Sequence, residues 1–206
     1  IRNRDVIEEE KIREYLLGTV EELPSPWLMK DMEKATDLLE KKIQQHAKIR
    51  IIGDYDIDGV TSTYILLKGL KRIGADVDTY IPDRVSDGYG IHGHLIDKAE
   101  ADGIDTIVTC DNGISAAAEI QTAKNKGITV IITDHHEVPY REENGERQMV
   151  LPPADAILNP KQYDCPYPNK NLCGAVVAFK YITALYERFG VSGKELEDYY
   201  ELAAIA

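Results

Sequence analysis

Three aspartates at alternate positions, Asp54, Asp56 and Asp58, and two adjacent histidines behind a further aspartate, Asp134-His135-His136, are the residues of this chain best suited to chemistry. On an extended segment, side chains at every second position project to one side. Three carboxylates there would repel one another unless a cation offsets their charge. Aspartate oxygens suit hard ions such as Mg²⁺ or Mn²⁺. Gly59 then allows a tight turn into a helix. The plainer alternative is an acidic turn with Asp58 capping that helix. Asp111, in Cys110-Asp111-Asn112-Gly113, either bridges two cations or caps the helix that follows. Imidazole favours Mn²⁺, Fe²⁺ or Zn²⁺ over Mg²⁺. One histidine of the pair would bind metal while the other faces a substrate. Asp134 would fix a ring tautomer. Arg84 could grip a phosphate bidentately or form a surface ion pair. Leu172-Cys173-Gly174-Ala175 could offer backbone N–H groups to an anion or be an ordinary helix entry.

These residues need elements to bring them together. Ile49–Ile52, Val77–Ile81, Asp105–Thr109, Ile128–Ile132 and Ala154–Leu158 read as strands. Helices are expected over Asp31–Ile43, Val60–Ile73, His92–Ala101, Ser115–Lys126, Ala175–Phe189 and from Lys194 onward, with Gly127 closing the fourth. Residues 1–46 form a helical lead-in, broken by Pro24 and Pro26, to a catalytic domain at 47–206. Strands alternating with helices through short loops imply an α/β fold with a mainly parallel sheet covered on both faces. Each polar cluster follows a strand, on the edge where open α/β sheets place ligands. The polar stretch 138–153, with Asn144-Gly145, reads as a surface insertion.

Bulk composition narrows the class. The sequence has 206 residues, 43% hydrophobic and 29% charged, as in ordinary globular proteins. It has no apolar run of the roughly 20 residues that span a bilayer and no signal-peptide core at Ile1–Asp5, so no membrane partner is expected and the cytoplasm is the expected location. Three cysteines without CxxC spacing offer no structural zinc site. A net charge of −12 opposes nucleic-acid binding unless cations offset the acidic cluster or basic domains elsewhere hold the polymer.

Asp54-Tyr55-Asp56-Ile57-Asp58-Gly59, Cys110-Asp111-Asn112-Gly113 and Asp134-His135-His136-Glu137 resemble the signature motifs of the DHH phosphoesterases. Gly88-Tyr89-Gly90, Asn159-Pro160 and Leu172-Cys173-Gly174-Ala175 are similar to the RecJ branch in particular. The resemblance covers nearly the whole chain. It implies Asp54, Asp56, Asp58, Asp111 and His135 around two Mn²⁺ or Mg²⁺ ions, with His136 at the scissile phosphate or its leaving group. Beside this resemblance, Asp134 is expected to serve catalysis with His136, and Arg84, Asn159 and Gly174 are expected at the substrate. The activity it implies is 5′-to-3′ removal of nucleotides from single-stranded DNA in repair and recombination.

Two further readings stand beside it: a DHH enzyme for pyrophosphate, short oligonucleotides or cyclic dinucleotides, and a non-catalytic replication scaffold. Relatives with small substrates tend to carry a histidine where Ile52 stands, and scaffold relatives have lost metal ligands that are kept here. Val176 departs from the branch, which has glycine there. The family also supplies a further metal-binding aspartate just beyond a segment like Leu202–Ala206. The expectation is therefore a fragment with weakened metal binding and little nuclease activity, whose missing C-terminal domains complete the site and grip DNA.

Overall fold

The computed structural model describes residues 6–88, 90–143 and 145–206, except the side chains of Glu21 and Glu146. The first five residues of the lead-in, Tyr89 of the glycine loop and Asn144 of the insertion lie outside them.

Five parallel strands form the central sheet: β1 (Lys48–Ile52), β2 (Asp76–Tyr80), β3 (Thr106–Cys110), β4 (Thr129–Thr133) and β7 (Ala156–Leu158). Their order is β2-β1-β3-β4-β7. The α/β class and the mainly parallel sheet are as expected. The strands alternate between two apolar clusters, as a period of two requires. Ile49 and Ile51, Val108 and Cys110, Ile131, Ala156 and Leu158 face one cluster. Ile52, Ile107, Val130, Ile132 and Ile157 face the other. The first cluster is closed by α2 (Met32–Gln44), α3 (Ile57–Arg72), α6 (Gly174–Phe189) and α7 (Glu197–Ile205), the second by α4 (Gly93–Ala101) and α5 (Ala117–Asn125). Sequence reading placed α2 in the lead-in, yet Met32, Ala35 and Leu39 are fully buried in the main core. A further helix, α1 (Glu9–Leu17), buries no residue.

The insertion is a two-stranded antiparallel hairpin, β5 (Tyr140–Glu143) and β6 (Glu146–Met149). It escaped a strand reading because its residues are polar on both faces. The expected helix from Lys194 is a 3₁₀ turn, Gly193–Leu196, followed by α7. Among the described residues no helix is long and apolar enough to cross a membrane.

Arg50 is the buried charged residue of β1. Its side chain is 8% exposed and bonds Asp78 and Asp102 (2.6 and 2.8 Å), joining β2 and the end of α4 to the central strand. The strand order changes direction at β1, with β2 on one side and β3 on the other. Strand ends diverge at such a switch point and leave a crevice at their carboxyl edge.

Candidate metal centre

The loop after β1 and the loop after β3 flank that crevice, and they are tied together. Buried Asn112 donates from Nδ2 to the Gly53 carbonyl (2.8 Å). Thr63 Oγ1 fills the space a side chain at Gly53 would take, 2.0 Å from an ideal Cβ. These contacts fix where Asp54 and Asp111 begin.

The three alternate aspartates do not lie along one extended segment. Helix α3 starts at Ile57, three residues earlier than expected, because Asp56 is its N-cap and accepts from Gly59 N–H (2.9 Å). Asp58 therefore sits in the first helical turn. Its carboxylate accepts from the backbone N–H groups of Gly174 and Ala175 (both 2.7 Å). That corrects the expectation for Gly174: the first N–H groups of α6 are taken by Asp58 and do not offer an anion site. Gly174 matters for another reason. A Cβ there would lie 2.9 Å from both Cβ and Oδ1 of Asp111.

Asp111 is the centre of the cluster. It is 1% exposed and held at φ 59°, a left-handed conformation that aspartate tolerates better than most residues. Burial, with Asp58 and Asp56 nearby, pushes its carboxyl up to about 6. Its Oδ1 lies 3.0 Å from His135 Nε2 yet receives no well-aligned hydrogen bond. His135 Nε2 is also 3.4 Å from Asp58 Oδ2. Asp54 and Asp56 approach from the other side, where one oxygen from each of Asp54, Asp56 and Asp111 falls within 4.8 Å of the others. Asp111, His135 and His136 form a second such group. Converging carboxylate oxygens and an imidazole nitrogen fit a divalent cation. The donor set therefore fits the Mn²⁺ or Mg²⁺ expected from sequence, with Asp111 common to both groups.

The two histidines divide. The Asp111 carboxylate beside it raises the pKa of His135. His136 Nδ1 lies 2.7 Å from Asp134 Oδ1, and this contact raises the pKa of His136. Asp134 is 1% exposed. Its Oδ1 also accepts from His135 and His136 N–H (2.7 and 3.1 Å), and its Oδ2 from Ile114 N–H (2.9 Å). Burial alone would raise the Asp134 pKa, but the bonds it accepts, chiefly from His136, lower it. Asp134 is thus committed to holding the His136 ring, with Nε2 on the ring side opposite Asp134.

Asn159, expected at the substrate, is fully buried. Its Nδ2 donates to the His136 carbonyl (3.0 Å) and its Oδ1 accepts from Lys161 N–H (2.8 Å). It braces the histidine segment from β7, and burial leaves it no surface for a ligand. Arg84 stands over the Tyr55 ring, 5.4 Å from its centroid, beside the first acidic loop. Asn112 was not singled out from sequence, although a polar residue between a strand-end aspartate and a glycine was a usable signal.

Substituting Gly174→Ala should displace the Asp111 carboxylate and weaken Mn²⁺ binding by about ten-fold, the scale of a disturbed ligand support. Isothermal titration against the parent chain checks this, and equal affinity would separate Gly174 from the ligand geometry.

Fold and site together define an α/β protein with a carboxylate–imidazole cluster for divalent cations at a parallel-sheet switch point. Residues 48–206 match the N-terminal domain of the DHH family. The chain belongs to that family. It is 44% identical over 180 residues to the single-stranded-DNA-specific exonuclease RecJ of Bacillus subtilis (strain 168), covering 87% of this chain and 21% of the relative. It is 40% identical over 162 residues to RecJ of Escherichia coli (strain K12), covering 78% and 26%. A crystal structure of exonuclease RecJ bound to manganese superposes with a TM-score of 0.73 at 35% identity, over 86% of this chain and 42% of that one. The chain thus spans 21% and 26% of the length of these two curated relatives.

Proposed function

We propose that this chain is the metal-binding part of a phosphodiesterase that removes nucleotides from single-stranded DNA in the 5′-to-3′ direction, using two Mn²⁺ or Mg²⁺ ions, in DNA repair and recombination. Its substrate in bacteria lies in the cytoplasm. The observation that carries this reading is Asp111 shared between two ligand groups, Asp54 and Asp56 on one side and the histidines on the other. The single-strand-specific exonucleases at 44% and 40% identity support the choice of substrate. Ile52, at the place where small-substrate relatives carry a histidine, is fully buried in an apolar cluster, which favours the polymer.

Asp54, Asp56 and Asp111 would hold one ion, and Asp111 and His135 the other, joined by Asp58, whose Oδ2 lies 3.4 Å from His135 Nε2. When bound, the two cations supply the charge that activates a water nucleophile and stabilises an in-line phosphoryl transition state. The chain's own part is positioning. Asp134 keeps His136 oriented and favours its protonated form, so His136 can hold a phosphate oxygen or give a proton to the departing oxygen. Arg84 would add a guanidinium on the substrate side. Segments present in longer relatives would grip the strand.

The test is Mn²⁺ titration of the chain. Two equivalents should bind, and at ten times the dissociation constant the stabilisation of about 1.4 kcal/mol for each ion should together raise Tm by about 6–11 °C for a protein of this size. Mn²⁺-dependent loss of nucleotides from the 5′ end, slow in this chain and faster in a form carrying the further segments of the longer relatives, should occur on single strands and not on blunt duplex. A chain that binds no Mn²⁺, or cuts duplex equally well, sinks the reading.

A further inference from the structure

Helix α3 leaves the metal centre with a face that no other described element covers. Ile57 is 67% exposed, Val60 43% and Tyr64 47%, and the exposed Lys68 and Lys71 continue the line. At about 100° per residue these five positions fall within an arc of about 80°. At about 1.5 Å per residue they run about 21 Å from Ile57 to Lys71. A surface helix normally turns polar residues to water, so an apolar trio on successive turns calls for an occupant. The trio starts between two aspartates of the metal centre and the stripe ends in cations. Neither Lys68 nor Lys71 makes an ion pair among the described residues, in a protein of net charge −12. The adjacent Arg72, off this arc, is bound by Glu195 instead.

We propose that this face of α3 is a track for the single strand next to the cleaved bond. Bases stack on Tyr64 and lie against Ile57 and Val60, and phosphates meet Lys68 and Lys71. This deepens, and rests on, the reading of the metal centre as a phosphodiesterase for single strands. An aromatic ring accepts any base through its π-face, and lysine suits phosphate as a point charge. The stripe is long enough for about six nucleotides at a stacked spacing of 3.4 Å, fewer if stretched. Charge decides between occupants. A protein patch would need apolar surface to continue past Tyr64, whereas the stripe turns to unpaired cations, which complement a polyphosphate.

The test is equilibrium binding of a fluorescein-labelled oligothymidylate to the 206-residue chain, read by fluorescence anisotropy in EDTA at several salt concentrations. Tyr64→Ala should weaken binding about five-fold or more. Lys68→Gln with Lys71→Gln should lower the slope of log affinity against log salt by about 1.4. Lys34→Gln with Lys41→Gln, the same charge change on exposed positions of α2, should leave the slope at the parent value. All five are surface positions, so circular dichroism and Tm should match the parent. Unchanged binding by the α3 variants would overturn the track and leave the face to a protein partner. So would an equal effect from the α2 pair, or no binding by the parent. The readout needs no cleavage: absence of Mn²⁺-dependent cutting with α3-dependent binding intact would refute the phosphodiesterase reading alone.

Discussion

Asp111→Asn should abolish Mn²⁺-dependent cleavage, by about 10³-fold or more, and at the same time make the metal-free protein more stable. The two effects share one cause. Among the described residues Asp111 is the one common to both ligand groups, so a neutral amide would weaken both of the proposed ions at once, and the charge stabilisation they would supply would be lost. Without metal, the same carboxylate is a liability. Burial raises its pKa from 3.8 to about 6. A raised carboxyl pKa means the folded protein binds the proton more tightly than the unfolded chain, so stability falls as pH rises from about 4 to about 6. Above that range the penalty is about 3 kcal/mol at most, and asparagine removes it while tolerating the left-handed backbone. Metal-free Asp111→Asn should therefore gain about 1–3 kcal/mol at pH 8, show a flatter stability profile below pH 6, and lose the Mn²⁺-induced rise in Tm. Thermal denaturation with and without Mn²⁺ reads all three. A variant that is less stable without metal and still gains from Mn²⁺ would remove Asp111 from the ligand set.

Asp134→Asn should act in the opposite sense, with metal binding largely kept and both stability and turnover lost. Asp134 accepts four donors: three backbone N–H groups and His136 Nδ1. An asparagine must turn its NH₂ toward at least one of them, leaving buried donors facing each other. Breaking such a network costs about 3 kcal/mol, or about 6–12 °C in Tm for a chain of this length. Because Asp134 is spent on these donors, Mn²⁺ should still saturate the variant. Turnover on single strands should fall by about 10²-fold, since the orientation and proton affinity of His136 depend on this carboxylate. The pH dependence carries a separate sign. Asp134 raises the His136 pKa above the ordinary 6.5, so in the metal-free protein the pair stabilises most below that value and loses its contribution as pH rises through the raised one. The asparagine variant should lack that decline. Full activity with unchanged Tm would show that His136 needs no support from Asp134.

Much of this was readable from residue order. The β1, β3 and β4 strands came from short Ile- and Val-rich runs, and the polar clusters at their ends fell on the correct sheet edge because a parallel sheet aligns all its carboxyl ends. The hairpin Tyr140–Met149 was not readable, since strands exposed on both faces carry no apolar alternation. The start of α3 was misread because Asp56 and Asp58 looked alike in sequence. Only the Gly59 N–H bond to Asp56 shows which one caps the helix. Asn159 and Gly174 pointed to the site region, yet burial and the Asp58 bond gave them bracing roles.

Ligand type, strand order along the chain and the identity of the clustered groups follow from the sequence alone, because oxygen and imidazole donors and periods of two or 3.6 are properties of local residue order. Which carboxylate faces which partner was settled only in three dimensions. Asp111 becomes common to two groups, and Asp58 turns to the start of α6, through contacts between segments far apart in the chain. Such pairings depend on where the β1–β3 crevice opens and on how much water each oxygen loses, and no local pattern encodes either.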